Sequence, residues 1–109
     1  MDNGHWTFLT NHAHVLFCVA EDPDARHRDI SRRVGITERA VQRIVSELAD
    51  FGYLEVHKEG RRNSYRIVGD KTLRHPVEAG VTIHDLLRLM DLRPRPKLVA
   101  VPPPTDAAD

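Results

Sequence analysis

The chain has 109 residues, 40% apolar and 29% charged, with sixteen basic and sixteen acidic side chains that cancel to a net charge of zero. That size points to one modest core, and the composition is that of an ordinary globular protein. No run of 18 or more apolar residues is present, which excludes a predicted membrane span. The start, MDNGHWTF, lacks a basic region followed by an apolar stretch, so the chain is expected to be cytoplasmic.

The zero charge is unevenly distributed. Residues 1–25 hold four acids and no Lys or Arg, whereas residues 26–66 hold ten bases and six acids. Local patches, not the total, decide whether a surface attracts a polyanion. Cys18 is the only cysteine, so it cannot form an internal disulfide or build a thiolate-rich metal site alone. It is expected to be a small core residue.

The spacing predicts a first helix over 11–21, with Thr10 or Asn11 as cap and Pro23 just beyond its end. Leu9, Ala13, Leu16, Phe17 and Ala20 fall on one helical face, the expected core side. A second, short helix is predicted over 27–34, from Ile30 and Val34 at i, i+4 and Gly35 as a left-handed stop. Asp29 and Arg33 are spaced to pair along it. Thr37 is an N-cap type for a third helix over 38–51, Glu38 suits its positive end, and Val41, Ile44, Val45 and Leu48 form its apolar stripe. The period then switches to two, which predicts a hairpin of strands 53–58 and 63–68 around KEGRRN. Thr82 and Asp85 have the spacing of an N-terminal capping pair, opening a last helix over 82–92. Residues 1–9 read as an N-terminal extension. Residues 93–109 are rich in proline and read as an extended or disordered tail.

The outer face of the third helix carries Arg39, Gln42, Arg43 and Ser46, again at i, i+3, i+4 and i+7. Two arginines at i, i+4 repel slightly in a free helix. Arginine can pair bidentately with guanine, and glutamine with adenine, in a DNA major groove. A merely solvated polar face is the bland alternative. Arg61 and Arg62 sit at the hairpin tip, where a structural turn needs Gly, Asn or Asp but no arginine. Placed beside such a helix, they would meet phosphates or a narrow minor groove, with Lys58 and Arg66 extending the charge.

Helix, helix, glycine turn, helix, basic hairpin is the order of a winged helix-turn-helix, a mainly α fold with one small antiparallel hairpin. Ile30, Gly35, Ile36, Val41 and Ile44 occupy the positions where that unit needs core residues and a turn glycine. Ser31 stands where alanine is usual. The stretch RDISRRVGITERAVQRIVSELADFGYLEVHKEGRRNSYRI resembles the winged-helix transcriptional regulators of the MarR and ArsR type. The resemblance covers roughly residues 10–90, and the domain is set at 10–92. It implies a homodimer on an inverted-repeat DNA operator, usually a repressor. It also implies DNA contacts by Thr37, Glu38, Arg39, Gln42 and Arg43 in the third helix and by Arg61, Arg62 and Asn63 in the wing. ArsR-type metal sensors often carry a cysteine pair near the second helix, and this stretch has none. MarR proteins usually have longer terminal helices around a ligand pocket, so a small-molecule effector stays an open expectation.

The last helix is apolar around more than one face, through Ile83, Leu86, Leu87, Leu89, Met90 and Leu92. Together with Leu16 and Phe17 of the first helix, Ile83, Leu86, Leu87, Leu89 and Met90 are the expected dimer surface. Seven histidines raise a metal alternative, but His12 and His14 do not share a helical face, and His75, His84 and Asp85 would need a partner chain to converge. No metal, cofactor or catalytic set is expected: there is no GxSxG, HExxH or phosphate-binding glycine loop. A winged-helix adaptor that binds protein instead of DNA is the alternative from a different class.

Overall fold

The computed structural model describes residues 6–90. The predicted tail, Leu92 and the first five residues lie outside them. In chain order the elements are α1 (Asn11–Glu21), α2 (His27–Val34), α3 (Glu38–Asp50), β1 (Leu54–Glu59), β2 (Arg62–Ile67), a short 3₁₀ turn (Pro76–Glu78) and α4 (Ile83–Leu89). The fold is α+β, a winged helix-turn-helix with a single two-stranded sheet. Among the described residues no helix is long and apolar enough to cross a membrane.

The turn between α2 and α3 is built by its own residues. Gly35 adopts φ 87°, the left-handed region in which a side chain is strained. Its N–H donates to the Ser31 carbonyl at 2.8 Å. The Ser31 hydroxyl in turn donates to the Ile36 carbonyl at 2.6 Å. Serine at this position therefore clasps the turn instead of merely fitting it. Thr37 then caps α3, its hydroxyl accepting the Ala40 N–H at 3.0 Å. At α4, Thr82 and Asp85 exchange both hydrogen bonds of a capping box, at 3.1 and 3.0 Å.

The hairpin is shifted by one residue from its predicted bounds. Leu54 pairs with Ile67 and Glu59 with Arg62, leaving Gly60 and Arg61 as a two-residue turn. Gly60 supplies the positive φ that so tight a turn requires. Arg62 consequently opens β2 and is not part of the tip. Between the hairpin and α4, a bridge joins Thr72 to Thr82, and the Tyr53 hydroxyl donates to the Thr72 carbonyl at 2.7 Å. No apolar period marks this segment in the sequence.

The core gathers Val15, Leu16, Cys18 and Val19 of α1, Ile30 of α2, the four apolar residues of α3, Tyr53, Leu54, Tyr65 and Ile83. Each buried aliphatic side chain contributes about 1.5–3 kcal/mol. Three expectations are corrected here. First, α1 faces the core with Val15, Cys18 and Val19 beside Leu16, whereas Ala13, Phe17 and Ala20 are half-buried. This helix is apolar nearly all the way round, so its own pattern cannot select a face. Second, Arg33 does not pair with Asp29; it reaches Glu21 of α1 at 2.8 Å and ties the two helices together. Third, Leu16 and Ile83 are 2% and 3% exposed within a single chain, which leaves them no surface for a dimer. Leu87 packs against the same core.

Candidate nucleic-acid interface

α3 separates its two faces cleanly. Val41, Ile44, Val45 and Leu48 are buried, and Arg39, Gln42, Arg43 and Ser46 are all exposed. The polar row therefore faces outward along the helix, beginning two residues after the Thr37 cap. Thr37 and Glu38 are exposed as well.

Arg43 is not wholly free. Its Nη1 lies 3.5 Å from Glu47 Oε2, one turn along the helix. The other carboxylate oxygen of Glu47 meets His12 Nε2 of α1 at 2.7 Å. The His12 contact, aided by Arg43, holds the Glu47 carboxyl below the usual carboxylate range against the opposing effect of partial burial.

The wing divides its charges. Arg66 forks onto Glu55 directly across the hairpin, with Nε and Nη2 donating at 2.9 and 2.8 Å. That bond draws the Glu55 carboxyl below its ordinary range. Arg66 was expected to extend the positive wing, but its charge is engaged by a neighbour, because cross-strand pairing brings an acid directly opposite. Arg61, Arg62 and Lys58 remain exposed, and among the described residues no carboxylate lies within 4.0 Å of them. Asn63 is half-buried; its Oδ1 finds no hydrogen-bond partner among the described residues.

Between the wing and the start of α2 lies a cleft of about 410 Å³. Arg26, His27 and Arg28 form one wall, Arg61, Arg62, Asn63 and Tyr65 the other, with Asp24 and Glu38 also contributing. Arg26 and Arg28 are not among the site residues expected from the sequence. The signal was the basic run ARHR immediately before Asp29, which only folding brings beside the wing. A second, more apolar groove of about 610 Å³ runs between α1, the end of α3 and α4, lined by Leu9, Ala13, Phe51, Leu73 and Leu86 among others. Phe8 on its rim is strongly exposed, and the Arg74 guanidinium stacks 4.0 Å from the Phe51 ring centroid.

Cys18 is buried, and burial pushes its thiol up. That is the environment of an inert core cysteine. Among the described residues no three His, Cys, Asp or Glu side chains come together as a metal-holding group.

Among solved structures, the chain is similar to the crystal structure of the zinc-dependent MarR family transcriptional regulator AdcR in its Zn(II)-bound state, with 22% identity and a TM-score of 0.43. The match covers 57% of this chain and 44% of that one, so the chain spans less than half the regulator's length. No curated protein matches. Residues 10–55, from the cap of α1 through α3 into β1, match the family described as winged helix-turn-helix DNA-binding, a family of DNA-binding proteins and not of enzymes. The chain thus has a winged helix-turn-helix fold, and the match to the DNA-binding family covers residues 10–55 of it.

Proposed function

We propose that the protein is a sequence-specific transcriptional regulator that binds an inverted-repeat operator as a homodimer and acts as a repressor, in the manner of the MarR-type regulators it resembles. α3 enters the major groove with Arg39, Gln42, Arg43 and Ser46 toward the bases. Thr37 and Glu38 stand at its leading end. Arg61, Arg62 and Asn63 of the wing, with Lys58, meet the flanking backbone or minor groove. The observation that carries this reading is the clean division of α3. Its apolar row is consumed by the core, and the row left outside is one that can pair with purine edges. For the dimer, support comes from Leu89 of α4 and Met90 just after it, 80% and 42% exposed, on the same short helix as half-buried Leu86.

Selection from a pool of random duplexes, at about 50 and about 200 mM salt, tests it. An enriched inverted repeat, with affinity falling steeply between the two conditions, is the expected result. If a dimer makes about six to ten phosphate contacts, that fall is about 10³–10⁵-fold. Absence of binding at the lower salt overturns the regulator reading.

A protein-binding adaptor is the second reading, favoured by the exposed Phe8 and Phe51 lining the apolar groove. Under it, Arg43→Glu leaves function intact. Under the regulator reading the same change abolishes DNA binding.

A further inference from the structure

The cleft at the start of α2 concentrates charge that the base-reading face does not need. Arg33, Arg43, Arg66 and Arg88 each have an acidic partner within 4.0 Å. Among the described residues, Arg26, Arg28, Arg61 and Arg62 have none, and all four are exposed around one cleft. Asp24 and Glu38 line it too, but they leave the balance positive and pair with none of the four. Like charges gathered from two separate elements oppose one another in the free protein, and a polyanion relieves that opposition.

The two walls are stitched together by Tyr65. Its hydroxyl lies 3.0 Å from His27 Nε2, and the two rings stack with centroids 6.5 Å apart. Its backbone N–H donates to the Pro23 carbonyl at 3.0 Å. Tyr65 is itself buried, so the wing root cannot swing away from α2 without opening the core.

We propose that this cleft is a second anchor for the DNA, in which Arg26 and Arg28 of α2 close with Arg61 and Arg62 of the wing on a phosphodiester segment, and Tyr65 is the positioning residue that keeps the two pairs in register. The inference rests on the DNA-binding reading above. It adds contacts that carry no base preference, so their loss weakens all sequences alike.

The test uses the full chain, fluorescence anisotropy, one selected duplex and one scrambled duplex, over about 50–200 mM salt. Each lost phosphate contact removes about 0.9 from the slope of log affinity against log salt, and a dimer loses two per protomer, so R26Q/R28Q is expected to flatten it by about 2–4. The same variant should bind both duplexes about 10–100-fold more weakly near 0.1 M salt. Y65F keeps the ring and removes the hydroxyl. It should weaken both duplexes several-fold, and do so less in an R61Q/R62Q background. A merely structural tyrosine would lower Tm and cost the same factor in both backgrounds. Circular dichroism establishes that each variant is folded. If wild type binds and R26Q/R28Q leaves the slope unchanged, the anchor is overturned and the regulator reading stands. If R26Q/R28Q loses only the selected duplex, the arginines read bases and the anchor is likewise overturned. If adenosine monophosphate binds wild type in calorimetry without DNA, and R26Q/R28Q abolishes this, the cleft serves a free nucleotide instead. If wild type binds no duplex at the lower salt, both readings fall together.

Discussion

His12 of α1 and Arg43 of α3 share one carboxylate: Glu47 meets the first at 2.7 Å and the second at 3.5 Å. A residue on the rim of the apolar groove is thereby connected to a residue on the exposed polar face of α3. Glu47 also places a negative charge next to the row proposed to face DNA.

Glu47→Gln removes that charge and keeps a hydrogen-bonding group for His12. Affinity for any duplex should rise a few-fold, with Tm nearly unchanged, because all three side chains are substantially exposed. The pH dependence follows from the lowered Glu47 carboxyl. A group whose pKa is depressed by folding contributes stability above its unfolded value, and that contribution disappears as pH falls through the folded value. The wild-type contact is therefore intact at neutral pH and is lost as pH falls through the lowered folded value. The small Tm difference between wild type and Glu47→Gln should vanish once that carboxyl is protonated.

Arg43→Glu should lower affinity for the selected operator by about 10–100-fold or more, the scale of a lost bidentate base contact. The side chain is 60% exposed, so the fold should persist. Anisotropy gives the affinity and thermal denaturation the stability. A large drop in Tm would show that Arg43 supports the fold and would remove it from the reading face.

Gly35→Ala tests the helix-turn-helix turn by backbone strain alone. Nothing lies within 4 Å of an added Cβ, so no steric clash contributes. The left-handed φ of 87° remains, and forcing it on alanine costs about 1–2 kcal/mol. Denaturant unfolding should show a lower midpoint at an unchanged slope. A variant as stable as wild type would show that the turn relaxes without its glycine.

Leu89→Asp and Leu16→Ala separate a dimer surface from a core. Leu89 is 80% exposed in the single chain, so the charged variant should stay folded and sediment as a monomer. Leu16 is 2% exposed, and its truncation should cost about 2–5 kcal/mol of stability. Analytical ultracentrifugation with thermal melts distinguishes the two. A Leu89→Asp protein that still dimerises would move the interface off α4.

How much of this was legible in the chain depends on how local the determining interaction is. The bounds of the first three helices, the Gly35 stop, the Thr37 cap and the Thr82–Asp85 box were readable because each is set by residues within four positions of one another, whereas α4 ends at Leu89, short of the expected 92. The exposed polar row of α3 was readable for a related reason: Val41, Ile44, Val45 and Leu48 mark which side is inside, and the opposite row follows from helical geometry. α1 offered no such contrast, so only packing against Ile30 and α3 selected Val15, Cys18 and Val19 for the core. Leu16 and Ile83 were apolar enough for either a core or an interface, and burial decided between them. The fate of each arginine was likewise a tertiary matter. Arg33 found Glu21 on another helix, Arg66 found Glu55 on another strand, and Arg26 and Arg28 were carried to the wing by the Tyr65–His27 contact. The sequence by itself determined the elements and the composition of each face. Which charges stay free for a partner, and where they converge, was decided by contacts between residues far apart in the chain, and a periodicity of 3.6 or 2 carries no record of those.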